Sequence, residues 1–279
     1  MIIMQINAGL GNQMSKYALG RHLAILNGTR LKLDISLFKP NAARKYGLHH
    51  FNIQADVATP QEINKLKTSS LSKKFGWFKR SHVGEREPNI FDENILKLKG
   101  DFYLEGYWGT EKYFKDIEPV IRNDFKVKYE LAGKNKEVAD RIANVNAISV
   151  HVRRGDYLDD PESRITFGLE YYKNAAEYLA QRVDNPHFFI FSDDMPWVKN
   201  NLFFNSPACY VDHNNDDTNY EDLRLMSLCR HAIVANSSFS WWGAWLSEYP
   251  DKIIVVPKKL FNDPNLSEKD CIPESWIRM

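Results

Sequence analysis

Strand-like and helix-like segments alternate through the second half of this chain, and each strand-like segment ends in polar residues. AISVHVRRGD reads as a strand in which Ile148, Val150 and Val152 alternate against Ser149, His151 and Arg153. LEYYKNAAEYLAQRV then spaces Leu169, Tyr172, Ala176 and Leu179 as a helix does. HFFIFSDD is a short buried strand, MPWVKNNLFF a short helix, CYVDH a strand, and TNYEDLRLMSLCR a helix with Thr218 as its expected N-cap. HAIVANSS, FSWWGAWLSEY and DKIIVVP continue as strand, helix and strand. This alternation dictates a mostly parallel sheet with helices against it. The strand ends are His-Val-Arg-Arg-Gly-Asp, Ser-Asp-Asp, Asp-His-Asn-Asn and Asn-Ser-Ser. Ligands of open α/β sheets bind outside the carboxyl ends of the strands, so four polar ends in succession mark one site assembled from several loops.

The N-terminal part starts alike, with a strand over 2–6, a helix from about Asn12 to Asn27 and a strand TRLKLDI. FYLEGYW and EKYFKDIEPVIRNDF read as a strand and a helix closing this first unit. Between them the pattern loosens into KLKTSSLSKKFGWFKR, read as a solvated basic helix pair rather than a segment over a cleft. The expected fold class is therefore α/β with two Rossmann-like domains, 1–145 and 146–279.

Composition narrows the function. A formal net charge of +1 gives no global attraction for nucleic acid or anionic lipid, so anion binding must be local. Cys209, Cys229 and Cys271 are widely spaced with no Cys-x-x-Cys pair, which argues against a zinc knuckle or a disulfide framework. No signal-peptide pattern and no apolar run near the ~20 residues of a membrane span occur. A cytoplasmic protein without a membrane span is expected, with peripheral membrane contact left open.

Arg153 and Arg154 leave a buried strand just before Gly155, so two planar guanidinium forks can converge on one anion. Asn236, Ser237, Ser238, Phe239 and Ser240 stand where a strand meets a helix, whose first N–H groups and dipole suit a phosphate. The serines would otherwise serve as simple caps. Trp241, Trp242 and Trp245 read mainly as core. Ser192, Asp193 and Asp194 end the next strand; a carboxylate there would pair with guanine N1–H and N2–H, position an arginine, or cap a helix. Adjacent acid pairs such as Asp159-Asp160, with no Asp-x-Asp triplet, give no metal site. Gly9-x-Gly11 opens like a dinucleotide loop, and Asp34 ends the second strand as a ribose-binding acid would. The fingerprint's third small residue is Met14, however, and a dehydrogenase would leave the arginines and serines unused.

AGLGNQMSKYALGRHLA, HVRRGDY, FSDDMPW and EDLRLMSLCRHAIVANSSFSWWGAWL together resemble glycosyltransferase family 11 in its bacterial form, the α-1,2-fucosyltransferases. The resemblance runs from about residue 3 to residue 258 and departs from the usual GGLGNQMFQYA at Ala8, Ser15 and Lys16. It implies a GT-B fold with two domains facing across a cleft, acceptor side first and donor side second. It also implies metal-independent inversion, with no cofactor. GDP-β-L-fucose would be the donor, and the 2-hydroxyl of a terminal galactose the acceptor, in a glycan such as a lipid-linked O-antigen precursor. By the same resemblance Arg153 holds the donor diphosphate with Arg154 in support, and Ser238 and Ser240 contact phosphate. Gly11, Asn12 and Gln13 form the acceptor-side loop, with Asn12 implicated in catalysis. His151 belongs to the donor motif. Asp156 matches the motif too, as the base or as the holder of His151 or an arginine. Asp159, Asp160 and Glu162 are other carboxylates near it, and a phosphate oxygen taking the proton is the alternative to any of them. Another nucleotide-sugar transferase and a binding module without turnover are the rival readings.

Overall fold

A computed structural model describes residues 1–39, 44–68, 81–162 and 164–279 of the 279-residue chain. The chain divides into two compact units, Met1–Lys128 with Ser267–Ile272, and Tyr129–Leu266 with Pro273–Met279.

The first unit runs β1 (Ile2–Gln5), α1 (Leu10–Leu26), β2 (Leu31–Asp34), β3 (Asp56–Val57), α2 (Pro60–Thr68), β4 (His82–Gly84), α3 (Glu93–Leu96), β5 (Phe102–Glu105) and α4 (Glu118–Asp124). Its parallel sheet has the order β3-β2-β1-β5-β4. β1 is central and wholly buried, which explains its apolar Ile2, Ile3 and Met4. α1 begins at Leu10, two residues before the sequence places it, so Gly11, Asn12 and Gln13 form its first turn. The helix meets the sheet closely at Gly20, where a Cβ would stand 2.8 Å from Leu31 Cδ1 and 3.3 Å from Met4 Cβ. Met14, fully buried, simply fills core. The expected helix over EKYFKDIEPVIRNDF is broken into two 3-10 turns, Glu111–Tyr113 and Lys115–Ile117, before α4. Pro119 in the first turn of α4 explains the restart, since its fixed φ favours a helix start and its ring forbids an interior place. Of the basic segment, α2 is observed, and 69–80 lies outside the described residues.

Ala8 precedes α1 with φ of +65°, a left-handed conformation that costs a side-chain-bearing residue about 1–2 kcal/mol. Ala8→Gly removes that strain and adds unfolded-chain entropy. The net expectation is a stabilisation of about 0.5–1 kcal/mol and a thermal midpoint about 2 °C higher by calorimetry.

The second unit runs α5 (Gly133–Ala143), β6 (Asn146–Val152), α6 (Leu169–Ala180), β7 (Pro186–Ser192), α7 (Met195–Asn201), β8 (Ala208–Tyr210), α8 (Asn219–Leu228), β9 (His231–Ile233), α9 (Ser238–Leu246), β10 (Ile254–Val256) and β11 (Ile277–Arg278). Its sheet is again parallel, in the order β11-β10-β9-β6-β7-β8. Both faces of β6 are covered. Ile148, Val150 and Val152 pack against Tyr172, Ala176 and Leu179 of α6. Ala147 lies in the opposite cluster with Val138 and Ile142 of α5 and Leu225 and Met226 of α8. The alternation seen in the sequence therefore separates two buried faces, and Ser149 and His151 are buried with the rest. Because α5 contributes to this core, the units divide after Lys128, where the sequence reading draws the line at 145.

Candidate functional site

Strand order reverses beside β6. β7 and β8 extend the sheet to one side, while β9 and the later strands lie on the other. Such a reversal leaves a crevice at the carboxyl ends of the two diverging strands. Here those strands are β6 and β9, so the residues that follow them, Arg153–Asp156 and Asn236–Ser238, flank it.

β6 ends in a compact ion cluster. Arg153 donates through Nη1 to Asp193 Oδ2 at 2.9 Å and through Nη2 to Asp156 Oδ1 at 2.5 Å. The backbone N–H of Arg154 donates to Asp193 Oδ1 at 2.9 Å, and its Nε donates to Asp194 Oδ2 at 3.1 Å. The Arg154 guanidinium lies 3.6 Å from the Trp197 ring centroid, a cation–π contact. Gly155 makes room for this arrangement, since a Cβ there would stand 2.6 Å from Asp193 Oδ2. Asp194 also caps α7 by accepting from Trp197 N at 3.2 Å, while its own N–H donates to Ser192 Oγ at 3.0 Å. Of the three roles open to Asp193 and Asp194, the geometry shows arginine positioning for both and capping for Asp194. Asp156 Oδ2 accepts from Arg164 at 3.3 Å, a contact the sequence reading missed.

On the other side of the reversal, Ser237 caps α9 by accepting from Phe239 N at 3.3 Å. The Ser240 hydroxyl is buried and donates to Ser237 O at 3.2 Å, so it is turned inward from the position the sequence analysis gives it. Ser238 is partly exposed. The Phe239 ring packs 5.7 Å from the His151 ring, and Tyr157 OH donates to Asn236 O at 3.2 Å, so the two halves of the site are joined. Among the described residues, His151 Nδ1, Arg153 Nε and Asn236 Oδ1 in this small region are buried polar atoms with no hydrogen-bond partner. Buried polar groups are normally paired, and each exception needs a reason. Burial, aided by the Arg153 charge, lowers the His151 pKa to about 3, so its imidazole is neutral at physiological pH. Trp242 and Trp245 are core, as expected.

In the first unit, Asn12 is partly exposed on α1, while Gly11 and Gln13 are buried. The Gln13 amide donates to Ala8 O at 2.9 Å and Lys45 O at 2.8 Å and accepts from Gly47 N at 2.9 Å. It is a brace of the fold, which corrects its expected place facing a sugar. Lys16 is buried too, hydrogen-bonded to Asn7 Oδ1 and 4.9 Å from the Tyr107 ring centroid. Among the described residues no group of three or more His, Cys, Asp or Glu side chains converges as metal ligands would.

The match that decides the family spans the whole chain: the model of glycosyl transferase family 11 covers residues 1–279. The chain belongs to glycosyltransferase family 11. It is 32% identical to an alpha-1,2-colitosyltransferase of Escherichia coli, over all of this chain and 98% of that one. It is 30% identical to the O-antigen biosynthesis glycosyltransferase WbnK of Escherichia coli, over 98% and 99% of the two chains. With the human galactoside alpha-(1,2)-fucosyltransferase 1 it shares 25% identity over 86% of this chain and 64% of that one. In fold it is similar to the NodZ alpha-1,6-fucosyltransferase soaked with GDP-fucose, with a TM-score of 0.50 at 16% identity, covering 88% and 91% of the chains. The family 11 fold is α/β of the GT-B type, with two Rossmann-like units, and this member is a fucosyltransferase-like glycosyltransferase. No helix among the described residues is long and apolar enough to cross a membrane.

One carboxyl in the second unit escaped the sequence analysis. Asp222, in the first turn of α8, is raised to about 7, above all by burial and further by Glu221, although Asn214 Nδ2 donates to it at 2.7 Å. A folded-state pKa above the unfolded 3.8 means that the unfolded chain releases this proton first as pH rises. The residue's contribution to stability is complete below that unfolded value, is lost between it and about 7, and stays lost above. Asp222→Asn, which keeps the acceptor oxygen, is therefore expected to raise the thermal midpoint more at pH 8 than at pH 4.5. Parallel melts in matched buffers give the comparison.

Proposed function

We propose that this chain is an inverting, metal-independent transferase that moves a 6-deoxy sugar from a GDP-linked donor to the 2-hydroxyl of a terminal galactose. One observation carries the reading: an arginine pair and a serine-capped helix N-terminus flank the strand reversal of the second unit. Acceptor attack at the anomeric carbon expels GDP from the opposite face, and negative charge grows on the departing β-phosphate. Arg153 would meet that charge. Its fork has five N–H donors, two of which are occupied by Asp193 and Asp156, and its buried Nε faces no acceptor. The α9 N-terminus with Ser238 would take a second oxygen. Donors already in place stabilise the transition state more than the ground state, and this cationic seat does the work a metal ion would otherwise do.

The base stays with Asp156 or with the phosphate itself. Asp156 is held by Arg153 and Arg164, which suits a positioning carboxylate better than a proton acceptor. Asn12, partly exposed on α1, would orient the acceptor.

Two of the relatives are named for an α-1,2 transfer but divide on the sugar, colitose in one and fucose in the other. Donor choice is therefore a second reading: L-colitose, the 3-deoxy analogue of L-fucose, in place of L-fucose. An acceptor in surface-polysaccharide assembly fits the O-antigen relative, and a cytoplasmic place for the enzyme goes with it. The test incubates the protein with GDP-fucose or GDP-colitose and lactose in EDTA, and assigns the product linkage by NMR. An α-1,2-linked product supports the proposal, and the faster donor names the sugar. GDP-sugar left intact with every galactoside would overturn it in favour of a binding module.

A further inference from the structure

A file of hydrogen bonds crosses the carboxyl edge of the first sheet, every donor pointing the same way. Lys16 Nζ donates to Asn7 Oδ1. Asn7 Nδ2 donates to Gln5 Oε1 at 3.3 Å, and Gln5 Nε2 donates to Tyr103 OH at 3.1 Å. Tyr103 OH donates to Asp34 Oδ2 at 2.7 Å. The ends fix the direction. An ammonium can only donate, and an ionised carboxylate can only accept. Turning over either amide would set donor against donor or oxygen against oxygen. Lys16, Gln5, Tyr103 and Asp34 are buried, whereas Asn7, the second residue after β1, is partly exposed. One N–H and one lone pair of its amide are still open once its bonds to Gln5 and Lys16 are counted. It stands at a strand's carboxyl end, beside the strained Ala8.

We infer that Asn7 is an acceptor-binding residue that grips a vicinal hydroxyl pair of the acceptor sugar, and that Lys16 is the positioning residue that fixes which way its amide points. The inference rests on the transferase reading above. A free amide N–H beside a free carbonyl lone pair matches two neighbouring hydroxyls, one accepting and one donating. An asparagine free to turn over would present that pattern only part of the time, whereas the charge at Lys16 locks it. Burial lowers the Lys16 pKa to about 8, and the charges of Glu85 and Glu105 oppose the fall. A lysine kept in such a place at a cost to stability fits a functional duty. The usual family loop has Gln where this chain has Lys16. A glutamine can donate or accept, so it would leave the Asp34 end alone to set the amide's direction.

Asn7→Asp and Lys16→Gln test the idea in the full chain, with donor and acceptor kinetics and a melt recorded for each. Asn7→Asp keeps an acceptor for Lys16 and adds an ion pair to it, which offsets the lost donation to Gln5 Oε1, yet it cannot donate to a sugar. Its thermal midpoint is expected within a few degrees of wild type, with an acceptor KM at least ~10-fold higher and a donor KM changed less than about twofold. Lys16→Gln is expected to raise the acceptor KM by about 3–10-fold in the same pattern. A wild type that turns over, with acceptor KM unchanged in folded Asn7→Asp, overturns the inference alone. A wild type without transfer or GDP release overturns the transferase reading and this inference with it.

Discussion

Replacing Arg153 with alanine is expected to lower kcat by ~10²-fold or more, the scale on which a preorganised oxyanion donor contributes. The side chain links Asp193 on the β7 loop to Asp156 on its own loop, and its Nε is buried without an acceptor. Removing it takes away the donor to the leaving phosphate and leaves two carboxylates facing the same region. Repulsion of the donor diphosphate should then raise the donor KM as well. A loss this large needs a fold control, and Arg153→Lys supplies one. Lysine keeps the positive charge but offers a point charge in place of a fork, so it cannot hold Asp193, Asp156 and a phosphate oxygen in the plane that arginine does. We expect Arg153→Lys to melt within a few degrees of wild type and still to lose ~10-fold or more in kcat. Steady-state kinetics with GDP release as the readout checks both variants. Wild-type turnover in Arg153→Lys would remove the fork from the mechanism and leave only its charge.

The gathering of polar residues at the carboxyl edge of the second sheet was largely legible in the sequence, and the reason is topological. Parallel strands bring their carboxyl ends to one edge, so the polar residues after β6, β7 and β9 meet there, whereas those after β8 bond instead to Lys199, Asn135 and Asp222. What each residue does at that edge was less readable. Asp193 could pair with a base, an arginine or a helix, and only the approach of Arg153 and the space at Gly155 select the arginine. Ser240 reads like Ser238 in sequence, yet about half a turn of α9 separates an inward hydroxyl from a partly exposed one. The burial of Asp222 and Lys16 escaped notice for another reason. Both lie on helices among polar residues, where a charge normally means solvent, and their burial is set by elements distant in sequence. β11 contributes only Ile277 and Arg278, too short a stretch to show a period, and it exists because β10 offers an open edge. The Gly9-x-Gly11 turn misled in a useful way. Met14 excluded the dinucleotide role, while the close helix–sheet approach that role requires is made at Gly20, six residues on.

Gln13→Ala is expected to be the most destabilising single change in the first unit's opening turn, although Asn12 beside it reads as equally polar. Neighbouring residues on an α-helix point about 100° apart, so the two cannot face one ligand. Asn12 turns partly outward, whereas Gln13 is fully buried and ties the Ala8 carbonyl to Lys45 O and Gly47 N. Truncation to alanine removes three hydrogen bonds, leaves an N–H and two carbonyls short of partners, and opens a cavity. Each stranded group costs about 1–3 kcal/mol, so a loss of about 3–5 kcal/mol and a fall of roughly 10 °C in the thermal midpoint are expected. Asn12→Ala, with a partly exposed side chain, should move the midpoint by less than about 2 °C and appear in kcat and acceptor KM instead. Calorimetry and acceptor kinetics on the two variants separate these outcomes. A Gln13→Ala protein that melts like wild type but binds acceptor poorly would return Gln13 to the sugar-facing role its sequence first suggests. The expected pattern places the duties side by side: Gln13 holds the turn closed so that Asn7 and Asn12, on either side of the strained Ala8, are presented from a fixed backbone.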